Sequence, residues 1–88
     1  MDFKATNERL TPKQLNDLIK HLEKTVPNFP TLDGRTVSYD YEADIHIISL
    51  TWEDGYQVSE DHGNYILDLN SDGQVIGIEL LDFKIEGE

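Results

Sequence analysis

The stretch Asp68-Leu69-Asn70-Ser71-Asp72-Gly73-Gln74-Val75-Ile76-Gly77-Ile78-Glu79 has the spacing of a calcium-binding EF-hand loop. Oxygen-bearing side chains stand at its first, third and fifth positions, glycine at the sixth and glutamate at the twelfth, a pattern that can wrap a hard cation. The candidate ligands are Asp68, Asn70, Asp72, Gln74 and Glu79. The context argues otherwise. An EF-hand needs a helix before its loop, whereas Gly63-Asn64 and an alternating, strand-like run precede Asp68. No second loop of this kind exists to pair with it, and Asp, Asn and Gly together are also the chemistry of a tight turn. Calcium binding is therefore an alternative and not the leading expectation.

A carboxylate cluster for acid–base work would draw on Asp40, Asp44, Asp68 and Glu79. Hydrolytic or transfer chemistry asks for more: a nucleophile beside a base, or a glycine-rich phosphate loop. Neither is present as a motif. His21, His46 and His62 are scattered over a helix, a strand and a loop. No catalytic residue and no cofactor is assigned, and the expectation is a protein that is not an enzyme.

Charge is the stronger signal. The chain of 88 residues has a net charge of −11 and a pI near 4.4, unevenly distributed. Up to Arg35, acidic and basic residues balance; from Thr36 onward Lys84 is the only base among many carboxylates. Such a field repels nucleic-acid backbones and anionic lipid, so direct nucleic-acid or membrane binding is not expected. It attracts a basic protein surface. The acidic segment after the third predicted element, with aromatics beside it, nominates Trp52, Glu53, Asp54, Tyr56, Glu60 and Asp61 as partner-binding residues.

The elements that must position these residues fit a single domain over 1–88. An N-terminal arm (1–10) precedes a helix over 11–26. Thr11-Pro12-Lys13-Gln14 forms a capping box with Pro at the first helical position, and Leu10 and Leu15 stand at the places of a hydrophobic staple. Leu15, Leu18, Ile19, Leu22 and Val26 make one apolar stripe. Pro27, Pro30 and Asp33-Gly34 then end the helix and hold a loop.

From Thr36 the period changes to two, and a β-meander is expected over 36–83 with an acidic tail at 84–88. Val37–Tyr41 and Ile45–Trp52 pair across a tight turn at Glu42-Ala43. A type I′ turn at Asp72-Gly73 sets Leu69 opposite Ile76, Leu67 opposite Ile78 and Tyr65 opposite Leu80. Between them, Tyr56–Ser59 is either a short strand or part of a long acidic loop. The fold class is thus α+β: one amphipathic helix packed on a four- to five-stranded antiparallel meander. The helix covers one face, leaving Ile45, Ile47, Ile66, Val75 and Leu81 toward the other, a surface suited to a second copy or a partner.

Two runs, Val37-Ser38-Tyr39-Asp40-Tyr41-Glu42-Ala43-Asp44-Ile45-His46-Ile47-Ile48-Ser49-Leu50 and Ile66-Leu67-Asp68-Leu69-Asn70-Ser71-Asp72-Gly73-Gln74-Val75-Ile76-Gly77-Ile78-Glu79-Leu80-Leu81, resemble a prokaryotic and phage family catalogued as domain of unknown function 2283. Its hallmarks are Tyr-Asp with a second Asp after the turn, then Asp-x-x-Gly-x-x-x-Gly-Ile-Glu. The similarity spans residues 36–83 and leaves the helix outside. It implies a small β-rich fold and no established activity; some members look like the smaller partners of toxin-type gene pairs.

With no cysteine to suggest an oxidising compartment and no apolar run long enough for a signal peptide or membrane span, a cytoplasmic location is expected. The leading functional expectation is an acidic module that neutralises or regulates a basic protein partner stoichiometrically. An antitoxin, an immunity protein or a phage-encoded inhibitor works in this way, in some cases by nucleic-acid mimicry. Calcium binding at Asp68–Glu79 and a homodimeric interaction domain are the alternatives.

Overall fold

A computed structural model describes residues 10–27 and 29–85, together with the backbone of residues 4 and 5. The remainder of the N-terminal arm and residues 86–88 of the acidic tail lie outside the described residues.

Helix α1 spans Pro12–Thr25, with Thr11 as N-cap and Val26 as C-cap. Both halves of the capping box form: Gln14 N donates to Thr11 Oγ1 at 3.1 Å, and Thr11 N donates to Gln14 Oε1 at 2.8 Å. These bonds satisfy amide donors that have no partner within the helix. Lys24 lies in the last turn, where the helix dipole favours positive charge. The predicted stripe faces inward, with Leu18, Ile19, Leu22 and Val26 buried.

The sheet comprises β1 (Lys4–Ala5), β2 (Thr36–Glu42), β3 (Ile47–Thr51), β4 (Val58–Asp61), β5 (Tyr65–Leu69) and β6 (Val75–Leu80), in the spatial order β1-β2-β3-β6-β5-β4. Strands β2 to β6 are antiparallel to their neighbours; β1 adds two residues parallel to β2. The fold is α+β as expected, but the order is not that of a simple meander. β6 lies between β3 and β5, so the chain leaves the sheet after β3, builds its far edge and closes the middle last.

Alternation sorts each strand. In β2, Val37, Tyr39 and Tyr41 are buried while their neighbours are exposed. They pack with Ile48, Leu50, Ile78 and Leu80 and with the helix stripe into one core, joined by Leu32, Tyr65 and Ile85. Fully burying each aliphatic side chain of this kind contributes about 1.5–3 kcal/mol before entropy is counted. Two tyrosines add polar ties. Tyr39 Oη accepts from Leu10 N at 2.7 Å, and Tyr41 Oη accepts from Ile85 N at 3.3 Å. Strand β2 thereby holds both the entry to the helix and the segment after β6.

Two turns differ from expectation. The β2–β3 connection is the four residues Ala43–His46, with Glu42 paired to Ile47, and not a tight turn at Glu42-Ala43. His46 adopts φ +54° there, and its carbonyl accepts from Phe83 N at 2.6 Å. Because the register shifts by an even number of residues, the residues that remain paired keep their predicted faces, whereas Ile45 and His46, expected on the return strand, lie in the turn. The β5–β6 hairpin keeps the predicted pairs Tyr65–Leu80, Leu67–Ile78 and Asp68–Gly77, but Leu69 pairs with Val75 rather than Ile76, across a bulge. Asn70 is the cause. Its Oδ1 accepts from Asp72 N at 2.9 Å and Gln74 N at 3.0 Å, which widens the turn beyond two residues. Gly73, at φ +77°, takes the left-handed position that this bulged turn requires.

Candidate functional site

The face of the sheet turned away from α1 is where the carboxylates converge. Following the register across the strands, one row reads Asp40, Ser49, Glu79, Ile66 and Asp61; the next reads Ser38, Thr51, Gly77, Asp68 and Ser59. Glu42 and Ile47 lie beyond the first row. Ile47 and Ile66 are half-buried and Asp40, Glu42 and Asp61 are exposed. Carboxylates are thus interspersed with half-buried Ile47 on β3 and Ile66 on β5, which stand either side of β6 and its Glu79, on strands that carry no Lys or Arg.

Two hydroxyls order this surface. Ser49 Oγ donates to Glu79 Oε1 at 3.3 Å, and Ser59 Oγ donates to Asp68 Oδ1 at 3.0 Å. Asp68 can lie flat because Gly77 stands opposite it; a Cβ there would sit 3.1 Å from Asp68 Oδ2 and 3.0 Å from the Leu50 carbonyl oxygen. Asp40 and Glu79 flank Ser49 on either side, about 10 Å apart by strand spacing. That separation does not make a carboxylate pair sharing one proton, and neither serine–carboxylate contact includes an imidazole. Asp44 lies away from both rows, in the β2–β3 turn.

The nominated partner-binding residues are only partly brought together. Trp52 turns inward: its ring is half-buried, meets Phe29 edge-on at 6.1 Å between centroids, and its shielded Nε1 has no hydrogen-bond partner. Glu53 Oε2 accepts from Asn70 Nδ2 at 3.3 Å. Glu53, Asp54 and Tyr56 join Asp68 and Ile76 around a shallow hollow of about 150 Å³. A second hollow, of about 300 Å³, is lined by both Glu53 and Arg35. Glu60 and Asp61 are consecutive on β4 and so project to opposite faces. Glu60 Oε1 contacts His62 Nε2 at 3.1 Å, and the His62 ring stacks on Tyr65; Asp61 Oδ1 accepts from Gly63 N at 2.8 Å. Tyr56 and Val58 are strongly exposed, at 63% and 55%.

Sequence reasoning did not nominate Val58 or Gly77. A lone glycine inside an alternating strand pattern was the available signal for the second, since it marks a close approach.

The residues with EF-hand spacing are spread over two strands and a turn. Asp68 is bonded to Ser59, Asn70 holds the turn and donates through Nδ2 to Gln74 Oε1 at 3.1 Å, and Glu79 leans toward Ser49 on β3. Among the described residues no group of three or more His, Asp or Glu is arranged to hold a metal ion. Among them too, no helix is long and apolar enough to cross a membrane.

Fold and site together define a small helix-on-sheet α+β domain whose second sheet face carries carboxylates and, among the described residues, no helix. A family model described as protein of unknown function DUF2283 matches residues 36–84, which cover β2 to β6. This is more than half of the chain, and the chain belongs to that family; β1 and α1 lie outside the matched range. Neither a search of curated proteins nor a search of solved structures finds a match.

Proposed function

We propose that this protein is a non-catalytic binding module that neutralises or regulates a basic protein partner in the cytosol, in the manner of an antitoxin, immunity protein or phage-encoded inhibitor. The observation that carries this reading is the helix-free sheet face, where Asp40, Glu42, Asp61, Asp68 and Glu79 are interspersed with Ile47 and Ile66 and no base stands on the same strands. The two isoleucines supply apolar contact area. The carboxylate frame supplies long-range attraction to Lys and Arg, raising the association rate and selecting partners by charge. A rigid sheet presents such a surface without the ordering cost of a flexible loop. Binding one-to-one would cover the partner's basic surface, the same surface that an enzyme acting on nucleic acid uses for its substrate.

The test is capture from the native host at low salt, run in parallel with a Asp40→Lys/Glu79→Lys variant. The wild-type protein is expected to retain a basic partner that elutes as salt rises, and the charge-reversed variant, equally folded by circular dichroism, is expected to lose it. A partner that stays bound to the reversed variant, or no partner at low salt, defeats the reading.

A further inference from the structure

The two sheet edges differ. On one side β2 is flanked by β1; on the other, β4 pairs, among the described residues, with β5 alone, and all four of its residues are exposed. His62 N donates to the Tyr65 carbonyl at 2.9 Å, closing the β4–β5 hairpin. Antiparallel alternation from that pair turns the backbone groups of Val58 and Glu60 toward β5 and those of Ser59 and Asp61 outward. An outward row of amide and carbonyl groups is a template for another strand, which natural proteins usually blunt with lysine, proline or a covering loop. Here the edge instead presents Val58, with Tyr56 just before it, two of the three large hydrophobic side chains most exposed among the described residues. Carboxylates accompany them: Glu60 and Asp61 on the strand, Asp54 in the preceding turn.

We propose that β4 is a strand-addition site for an extended basic segment of the partner. The proposal rests on the reading of the protein as a module for a basic partner, and specifies how part of that partner is held. The added strand would bond to Ser59 and Asp61 through its backbone, set apolar side chains beside Val58 on one face, and set Lys or Arg beside Asp61 on the other. Charge selects this occupant over a second copy. The antiparallel register that joins the outward backbone groups of Ser59 to those of Asp61 in a second copy would set the two Glu60 side chains directly opposite each other, where like charges oppose association. A basic strand meets no such repulsion.

The probe is a short synthetic peptide of alternating valine and lysine, compared with the same peptide N-methylated at alternate residues so that it cannot bond along one edge. Amide exchange of the whole protein is followed by NMR. The unmodified peptide is expected to slow exchange at Ser59 and Asp61 and to bind at least about tenfold more tightly than the methylated one, the equivalent of one or two interstrand hydrogen bonds. Ser59→Pro removes an outward N–H, a change that an edge strand tolerates, and is expected to cause a similar loss. Ser59→Ala, which removes only the hydroxyl bonded to Asp68, is expected to retain binding. Salt-sensitive binding indifferent to N-methylation and to Ser59→Pro overturns strand addition while leaving the acidic-face reading intact. No binding of either peptide also overturns it, and the acidic-face reading then stands or falls on its own capture experiment. A concentration-dependent dimer displaced by the peptide would assign the edge to a second copy and overturn the proposal as well.

Discussion

Replacing Gly77 with alanine is a sharp test of how the helix-free face is built. The new Cβ would lie 3.0 Å from the Leu50 carbonyl oxygen and 3.1 Å from Asp68 Oδ2. Crowding a packed position by one carbon costs about 1–3 kcal/mol. Displacing Asp68 also weakens its bond from Ser59, worth about 0.5–1 kcal/mol, but alanine recovers about 0.5–1 kcal/mol of glycine's entropic penalty in a strand. These last two effects cancel. The Asp68 carboxylate can swing aside whereas the Leu50 carbonyl belongs to β3, so a net loss of about 1–2 kcal/mol is expected, in the lower part of the crowding range. A domain of 88 residues has about 4–13 kcal/mol of stability in all; Gly77→Ala therefore folds, with a urea midpoint lower by about 1 M at unchanged slope. Adding Asp68→Ala relieves one of the two close contacts, so the double variant should lose less than the sum of the single losses. A midpoint for Gly77→Ala equal to or above wild type refutes the close packing of Asp68 over this glycine.

Three further outcomes follow from other contacts. Thr11→Ala removes the acceptor of the capping box and is expected to cost about 1 kcal/mol in chemical denaturation, with Thr11→Ser close to neutral. Tyr39→Phe leaves the Leu10 amide without its 2.7 Å acceptor and is expected to destabilise by about 1–3 kcal/mol; Tyr41→Phe, which removes the longer 3.3 Å bond to the Ile85 amide, is expected to cost less and to speed exchange of that amide. Excess calcium is expected to leave the melting temperature unchanged, because the oxygens with EF-hand spacing are committed to the hairpin. A site saturated a hundredfold above its dissociation constant would instead add about 2.7 kcal/mol, and a rise abolished by Asp68→Ala would reveal one.

Much of this architecture could be read from residue types because local rules agreed with one another. Thr11, Pro12 and Gln14 mark the helix start, and the stripe from Leu15 to Val26 marks its buried side. The pairs from Tyr65–Leu80 to Asp68–Gly77 follow from alternation about one turn. The departures have specific causes. At the β5–β6 turn, Asn70 bonds two amides with one oxygen, a side-chain event that the Asp-Gly dipeptide does not announce. Pairing of β3 with β6 joins segments far apart in the chain, and alternation carries no information about which strands become neighbours. At the site, Trp52 and Tyr56 look alike as aromatics in an acidic stretch, yet the first packs against Phe29 and the core while the second stays outside. Glu60 and Asp61 are adjacent in sequence yet divided by the pleat.

The placement of β6 has a consequence for biosynthesis. The strand made after all the others fills the interior of the sheet, so β3 and β5 each keep a bare flank until Val75–Leu80 arrives. A product cut short before Val75 would carry two hairpins that can neither meet each other nor shield their inner edges. Such fragments are expected to clump, and to be cleared by proteases, far more readily than the finished fold.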